Sequence, residues 1–394
     1  MLSRRTVLAG SATALLGLAT GCSPAAPTAP PTPTAPTASS PPPPTPTSSP
    51  SKTPTPSATP TEAPTPIKTA AGKPDPDVSG VVADGFDVPW GLVFLPSGDA
   101  LVSERGTARL LRVTPRGKVT EIGEVAGVAA PDGTGEGGLL GIALDPDDPD
   151  TLFAYITTAS DNRVVRLGIK GGTTKPKVLV PGIPTNPHHH GGRLLFGADG
   201  LLYVSTGDAE QPALAQDRSS LAGKILRIRP NGKAAPGNPF DNRTWSYGHR
   251  NIEGLAWDEK GRLWATEFGE KEADELNVIA RGRNYGWPRV EGGSDNDDYA
   301  APAVVWSPTS TCSPAGLAIT RSTAFVAALQ GRCLFSVPLD GRKAGKPRKH
   351  FANDYGRVRN VVAAPDGTLW MTTSNTDGRV TPGKNDDRIL RVTL

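Results

Sequence analysis

Arg193-Leu-Leu-Phe-Gly-Ala-Asp-Gly-Leu-Leu-Tyr-Val204 reads as two short apolar strands joined by an Asp-Gly turn. The same unit recurs along the chain. It begins as Trp90-Gly-Leu-Val-Phe-Leu-Pro-Ser-Gly-Asp-Ala-Leu-Val102 and returns as Leu139-Leu-Gly-Ile-Ala-Leu-Asp-Pro146. Beyond the quoted unit come Leu255-Ala-Trp-Asp-Glu-Lys-Gly-Arg-Leu-Trp264 and Gly316-Leu-Ala-Ile-Thr-Arg-Ser-Thr-Ala-Phe-Val326. The last is Val361-Val-Ala-Ala-Pro-Asp-Gly-Thr-Leu-Trp-Met371. Further strands follow most turns, such as Lys224-Ile-Leu-Arg-Ile-Arg229. Helical periodicity is hard to find anywhere. Units spaced by roughly 45–60 residues, with several short strands each, predict an all-β fold, a six-bladed β-propeller of four-stranded blades. A β-sandwich array suits the spacing less. Inserts 207–222 and 268–300 are expected as loops on one face, where propellers carry sites.

The chain ahead of these units is of another kind. Arg4-Arg5 precede a short apolar run over residues 6–18, too short to span a membrane. Leu18-Ala19-Thr20-Gly21-Cys22 then resembles a lipoprotein signal, so residues 1–22 read as a signal peptide with Cys22 as the lipidated residue. An ordinary secretory signal with a chance cysteine is the alternative. Ser3-Arg4-Arg5-Thr6 also suits twin-arginine export. Residues 23–77 are rich in Pro, Thr, Ser and Ala, which predicts a disordered stalk without a core. The folded part is expected over 78–394, exported and lipid-anchored on the outer face of the cytoplasmic membrane. A net charge of +3 gives no reason to expect nucleic acid. Cys312 and Cys333 remain beyond Cys22. An oxidising compartment predicts a disulfide between them, with two buried thiols as the alternative.

Four clusters carry titratable groups. His188-His189-His190-Gly-Gly-Arg193 precedes a strand pair that ends in Gly207-Asp208, which sets an imidazole near a carboxylate able to orient it. In an extended segment only His188 and His190 share a side, and nothing nearby in sequence completes a transition-metal site. Ser246-Tyr-Gly-His249-Arg250-Asn251 puts Arg250 at a strand entrance. Asp274-Glu275-Leu-Asn277, with Asn284-Tyr285-Gly-Trp287-Pro288 after it, suits either a hard oxygen-ligated cation or a solvated acidic loop. Arg357-Val-Arg359 places two guanidiniums on one side of an extended segment. They suit carboxylate recognition, or else lie on an exposed edge.

In this order the clusters resemble the soluble quinoprotein sugar dehydrogenases, the glucose/sorbosone and aldose dehydrogenase family that uses pyrroloquinoline quinone (PQQ). The resemblance runs from about Val81 to Leu394. It includes Gly137-Gly-Leu-Leu-Gly141, His189-x-Gly-Gly-Arg193, Leu221-Ala-Gly-Lys-Ile-Leu-Arg227 and Gly248-His-Arg-Asn251. It implies a six-bladed propeller, and His189 as the base that takes the proton from a sugar's anomeric hydroxyl while a hydride passes to the quinone. It also implies Asp208 as the group that orients this base and Arg250 as the arginine beside the quinone carbonyls. Arg357 and Arg359 then match the clamp on the cofactor's carboxylates. Gly269 and Glu270 fall where backbone carbonyls hold a cofactor-bound calcium. Glu275 and the carbonyl of Tyr285 match a calcium site of the aldose branch.

The chain departs from the family at several points. Glu136 stands where the family often has a glutamine facing the cofactor, and Gln330 stands where the glucose enzymes have a lysine. Phe268 replaces a glutamine, and Ile252-Glu253 replaces Pro-Gln. One lost charge-assisted contact predicts binding about 10- to 150-fold weaker, unless Arg332 or another cation compensates. The reading is therefore a PQQ- and calcium-dependent oxidoreductase that turns aldoses into lactones and passes electrons to an unknown acceptor. A cofactor-less propeller that binds carbohydrate or a protein is the alternative. A calcium-dependent lactonase fits less well, because the acidic residues cluster on one loop.

Overall fold

Hairpin pairing organises every unit. A computed structural model describes residues 73–394, and the expected signal peptide, Cys22 and residues 23–72 of the expected linker lie outside these described residues. Six antiparallel sheets form. Blade 1 runs outward from Pro89–Phe94 to Val119–Glu124, and blade 2 from Leu139–Leu144 to Lys177–Ile183. Blade 3 holds the opening unit as Gly191–Phe196 and Leu202–Thr206, then adds Lys224–Ile228 and Thr244–Tyr247. Blade 4 runs from Ile252–Trp257 to Val304–Trp306. Blade 5 starts at Pro314–Thr320, and its outer edge is split into Lys343–Ala344 and Arg348–His350, both paired with Cys333–Asp340. Blade 6 takes Val358–Ala363, Leu369–Thr373 and Arg388–Thr393, and closes with Asp77–Asp84 from the other end of the domain. The expected six-bladed propeller is thus the fold. Helix among the described residues is confined to the 3-10 turns Pro212–Ala215 and Thr309–Thr311.

The turn in the opening unit needs its glycine, because Gly200 sits at φ +70°. The fifth unit has no glycine there and instead bends through Arg321 and Ser322, at φ +52° and +51°.

Each neighbouring pair of blades shares one apolar layer. Phe153, Tyr155, Leu194 and Val204 meet between blades 2 and 3. Leu92, Val102, Trp370 and Ile389 close the ring between blades 1 and 6. The second strand of every blade is buried on both faces, as in Ala100–Glu104 and Leu202–Thr206. That is why these segments read as nearly unbroken apolar runs, without strict alternation.

Cys312 and Cys333 join the layer between blades 4 and 5 as two free, buried thiols. The expected disulfide is therefore corrected to the thiol reading. Burial pushes Cys333 up to about 12 and Cys312 well above the ordinary thiol range. The thiolate needed for exchange is suppressed, and both residues pack as small apolar groups.

The six inner strands pack as a ring around a channel. Their far ends, among them Phe94, Phe196, Trp257 and Ile319, line an apolar cavity of about 510 Å³. Their starting ends carry the polar clusters. Deleting Asp77–Asp84 would bare the Arg388–Thr393 edge. The deletion should lower the melting temperature and promote aggregation. A melting curve within about 2 °C of the full chain would show that the ring closes without this strand.

Candidate active site

Backbone contact sets the base. Gly207 follows the second strand of blade 3, and any side chain there would run into the His189 carbonyl. His189 itself lies at φ +59°. This conformation costs about 1–3 kcal/mol for a residue with a side chain, so its surroundings must hold it. They do so on both sides. The His189 N–H donates to Glu136 Oε2 at 3.1 Å, and its carbonyl accepts the Ala209 N–H at 3.2 Å.

The ring then meets Asp208, with Nδ1 2.7 Å from Oδ1. A carboxylate only accepts, so Nδ1 carries the proton and Nε2 keeps its lone pair. The His189 side chain is 18% exposed and that of Asp208 is 0% exposed, so one can reach substrate and the other cannot. Asp208 Oδ1 also accepts the Glu210 N–H at 2.9 Å. Its Oδ2 accepts the indole N–H of Trp287 at 2.8 Å. The neighbouring imidazoles face elsewhere. His188 pairs with Glu210 at 3.1 Å, and buried His190 lies 2.9 Å from Asn162 Oδ1.

Arg250 stands at the entrance of the inner strand of blade 4. Its N–H donates to Glu267 Oε1 at 2.7 Å, and its guanidinium lies 5.5 Å from the centre of the Trp287 ring. Behind it, His249 is buried between Ser246 and Glu267, at 2.9 and 2.8 Å.

Arg357 and Arg359 do share one side, as their spacing predicts. Arg357 Nε donates to Asp377 Oδ2 at 2.9 Å, and Arg359 Nη2 lies 3.7 Å from the same oxygen. Arg359 Nη1 donates to Glu253 at 2.7 Å. Burial pushes the Glu253 carboxyl up, against the pull of Arg359. Glu253 thus gives Arg359 a second carboxylate partner besides Asp377. Arg105, in the same buried cluster, is pushed down to about 10 by burial and by Arg359, and stays cationic at neutral pH.

The departures at 136 and 330 have different outcomes. Burial opposes a charge on Glu136, yet Arg379, 3.0 Å away, and the His189 N–H hold its carboxyl below the ordinary range. The added carboxylate is therefore matched within the chain by Arg379, not by Arg332, which is exposed. Gln330 is also exposed. It reaches Ser313 at 3.3 Å, and Ser313 in turn donates to Asp274.

Residues 269–275 are shaped by a carboxylate. The N–H groups of Glu270, Lys271, Glu272 and Ala273 all converge on Glu291 Oε1, at 2.8 to 3.0 Å. The Gly269 N–H goes to Asp274 at 3.0 Å. The Glu270 side chain is exposed, so only its backbone belongs to the loop. Glu275 lies opposite Glu267 across adjacent strands. Burial and then Glu267 push its carboxyl up to about 8. Tyr285 packs against His249, and its hydroxyl donates to the Val278 carbonyl at 2.7 Å. A cavity of about 10 Å³ lies among Glu267, Glu275, Tyr285 and Trp287. Among the described residues no three His, Cys, Asp or Glu side chains converge as a metal cage.

The structure therefore brings His189, Asp208, Arg250 and Glu136 to one end of the channel, with Arg357 and Arg359 beside Glu136 through Arg379 and Asp377. Sequence reading missed Asp377, Arg379 and Arg105, and gave Trp287 no role. Only Trp287 lay within a quoted motif. Asp377 receives two buried guanidiniums, so Asp377→Asn should destabilise the fold by about 3–5 kcal/mol in a urea titration. An unchanged midpoint would mean that the arginines find solvent or another partner.

Residues 86–382 match the family model of the glucose/sorbosone dehydrogenases. The PQQ-bound aldose sugar dehydrogenase of Streptomyces coelicolor is 46% identical, with a TM-score of 0.78 over 82% of this chain and 98% of that one. The aldose sugar dehydrogenase YliI of Escherichia coli is 27% identical over 76% of this chain and 91% of its own length. Quinoprotein glucose dehydrogenase B of Acinetobacter calcoaceticus is 31% identical over 56% of this chain and 54% of its own. The resemblance read from the motifs is borne out: the chain belongs to the glucose/sorbosone dehydrogenase family of oxidoreductases.

Proposed function

We propose that this chain is a PQQ-dependent sugar dehydrogenase that oxidises the C1 hydroxyl of an aldose to the lactone. The observation that carries this reading is an oriented imidazole set beside buried guanidiniums with N–H groups to spare. Arg105 Nε and Nη1, Arg250 Nε and Arg379 Nη1 are buried without a partner among the described residues. Unmatched donors of this kind suit an anion rich in acceptor oxygens. The three carboxylates of PQQ meet that requirement. The residues present therefore fit the cofactor, with Arg357 and Arg359 as its clamp, Arg250 beside its carbonyls, and Glu136 and Gln330 as further contacts.

When bound, the quinone supplies the acceptor for the hydride that leaves C1. The chain's own groups manage the proton. His189 Nε2 takes it from the hydroxyl, while Asp208 holds Nδ1–H and offsets the charge that develops on the ring. The Trp287 ring and Arg250 close the buried side of the dyad.

Calcium is proposed at Glu275 with the carbonyl of Tyr285, and at the carbonyls of Gly269 and Glu270. Support comes from two buried carboxyls facing each other, whose repulsion a divalent cation would relieve. The N-terminal pattern supports export, lipidation at Cys22 and a stalk; the expected boundary at 77/78 moves forward, since Pro74 and Pro76 are buried and Asp77 already opens the edge strand of the domain. That arrangement presents the enzyme to sugars outside the cytoplasmic membrane and to an electron acceptor in the envelope.

Titrating the protein with PQQ and excess calcium, then adding aldoses and a dye acceptor, tests this reading. Sugar-dependent bleaching of the dye is expected. A folded protein that binds no quinone at tens of micromolar would favour the cofactor-less binding propeller. His189→Gln should abolish turnover and leave quinone binding nearly intact, and surviving turnover would remove it as the base. Arg357→Ala combined with Arg359→Ala should raise the quinone dissociation constant by at least about 10-fold. An unchanged constant would take both residues out of the cofactor site.

A further inference from the structure

Trp287 touches both halves of the site. Its indole N–H donates to Asp208 Oδ2 at 2.8 Å, on the oxygen that His189 leaves free. Its ring lies beneath the Arg250 guanidinium, 5.5 Å from ring centre to carbon. The backbone of Trp287 is pinned independently of either partner. Its N–H donates to the Gly248 carbonyl at 3.0 Å, and its carbonyl accepts Gln216 Nε2 at 2.6 Å. Gln216 and Asn284 in turn exchange side-chain amide hydrogen bonds at 3.0 and 2.9 Å. Trp287 is buried, so its placement follows from these contacts and not from substrate.

We infer that Trp287 is a positioning residue for the proton-transfer step, acting through Asp208, and that it ties the base dyad to Arg250. This rests on the dehydrogenase reading. The indole N–H is a fixed dipole that shares the buried negative charge of Asp208. Without it, that charge falls more fully on Oδ1 and on His189 Nδ1–H. The protonated imidazole is then held more tightly, and the base yields its lone pair only at higher pH. The other charged or titratable groups facing His189 are Glu136 at its backbone N–H, with Arg379 behind it, Glu210 and His188 at the mouth, and Arg250 across the Trp287 ring. None of these is removed by a change at 287.

Trp287→Phe keeps an aromatic ring beside Arg250 and deletes the donor, together with part of the indole's buried volume. The first measurement is the NMR titration of the His189 ring in the quinone-free protein, which needs no turnover. The midpoint should rise by about half a pH unit or more. An unchanged midpoint in a variant that melts with the wild type overturns the inference. The second measurement is kcat/KM against pH with quinone bound. Its acid limb should move up with the imidazole, so that kcat/KM on that limb falls about threefold, while the quinone dissociation constant stays within twofold. In an Asp208→Asn background the same change should cost nothing further, whereas a merely structural tryptophan would add its own loss. A shifted midpoint without any quinone-dependent turnover in the wild type would overturn the dehydrogenase reading and leave the positioning role standing.

Discussion

A buried carboxylate must be met by donors, and Asp208 shows how much structure that one requirement organises. Its side chain is sealed from solvent and collects His189 Nδ1, the Glu210 N–H and the Trp287 indole. Its own N–H donates to the Arg250 carbonyl at 2.8 Å. These partners come from the entrance of blade 3, the long insert that follows its second strand, the entrance of blade 4 and the loop beyond Ile279. Each must arrive within hydrogen-bond distance, or the buried charge goes unmatched. Gly207 makes the closest approach feasible, because only a residue without a side chain leaves room for the His189 carbonyl. The geometry of the base is thus a by-product of solvating one anion inside the protein.

The arginines follow the complementary logic. Arg357 and Arg359 are drawn to Asp377, Arg359 also to Glu253, and Arg379 to Glu136. Buried cations of this density would repel one another if no carboxylates were placed among them. The internal pairing offsets that repulsion, and the donor count leaves it incomplete. A guanidinium offers five N–H groups, and one carboxylate oxygen engages only one or two of them. What remains on Arg105, Arg250 and Arg379 is directional capacity for another anion.

The fold was legible because its unit is local. An apolar strand, a turn residue that accepts positive φ and a second strand lie within a dozen residues, and their repetition counts the blades. His189 and Asp208 were legible for the same reason, since both flank one hairpin. The spacing of Arg357 and Arg359 was enough to put them on one side of a strand. The compensations were not legible. Arg379 reaches Glu136 across 243 residues of chain, and Arg359 reaches Glu253 across 106. Glu136 therefore reads as a liability in sequence and as half of an ion pair in space. Cys312 and Cys333 show the opposite failure. The expected export argues for oxidation, but the blade layer that encloses both thiols treats them as apolar volume.

These cross-channel pairs also connect the site to ring closure. The Glu136–Arg379 pair links the entrance of blade 2 to the last loop of blade 6, and Glu253–Arg359 links blade 4 to blade 6. Arg193, from blade 3, stacks 4.3 Å over Trp90 of blade 1 and donates to the Glu253 carbonyl of blade 4. Blade 6 is the one assembled from both ends of the domain, through Asp77–Asp84 and Arg388–Thr393. Its loop between Leu369–Thr373 and Arg388–Thr393, two strands paired with each other, carries Asp377 and Arg379. The guanidiniums at the channel mouth are therefore held by pairs that reach from one blade to another. An anion that bound them would by mass action stabilise this cross-blade arrangement as it filled the site.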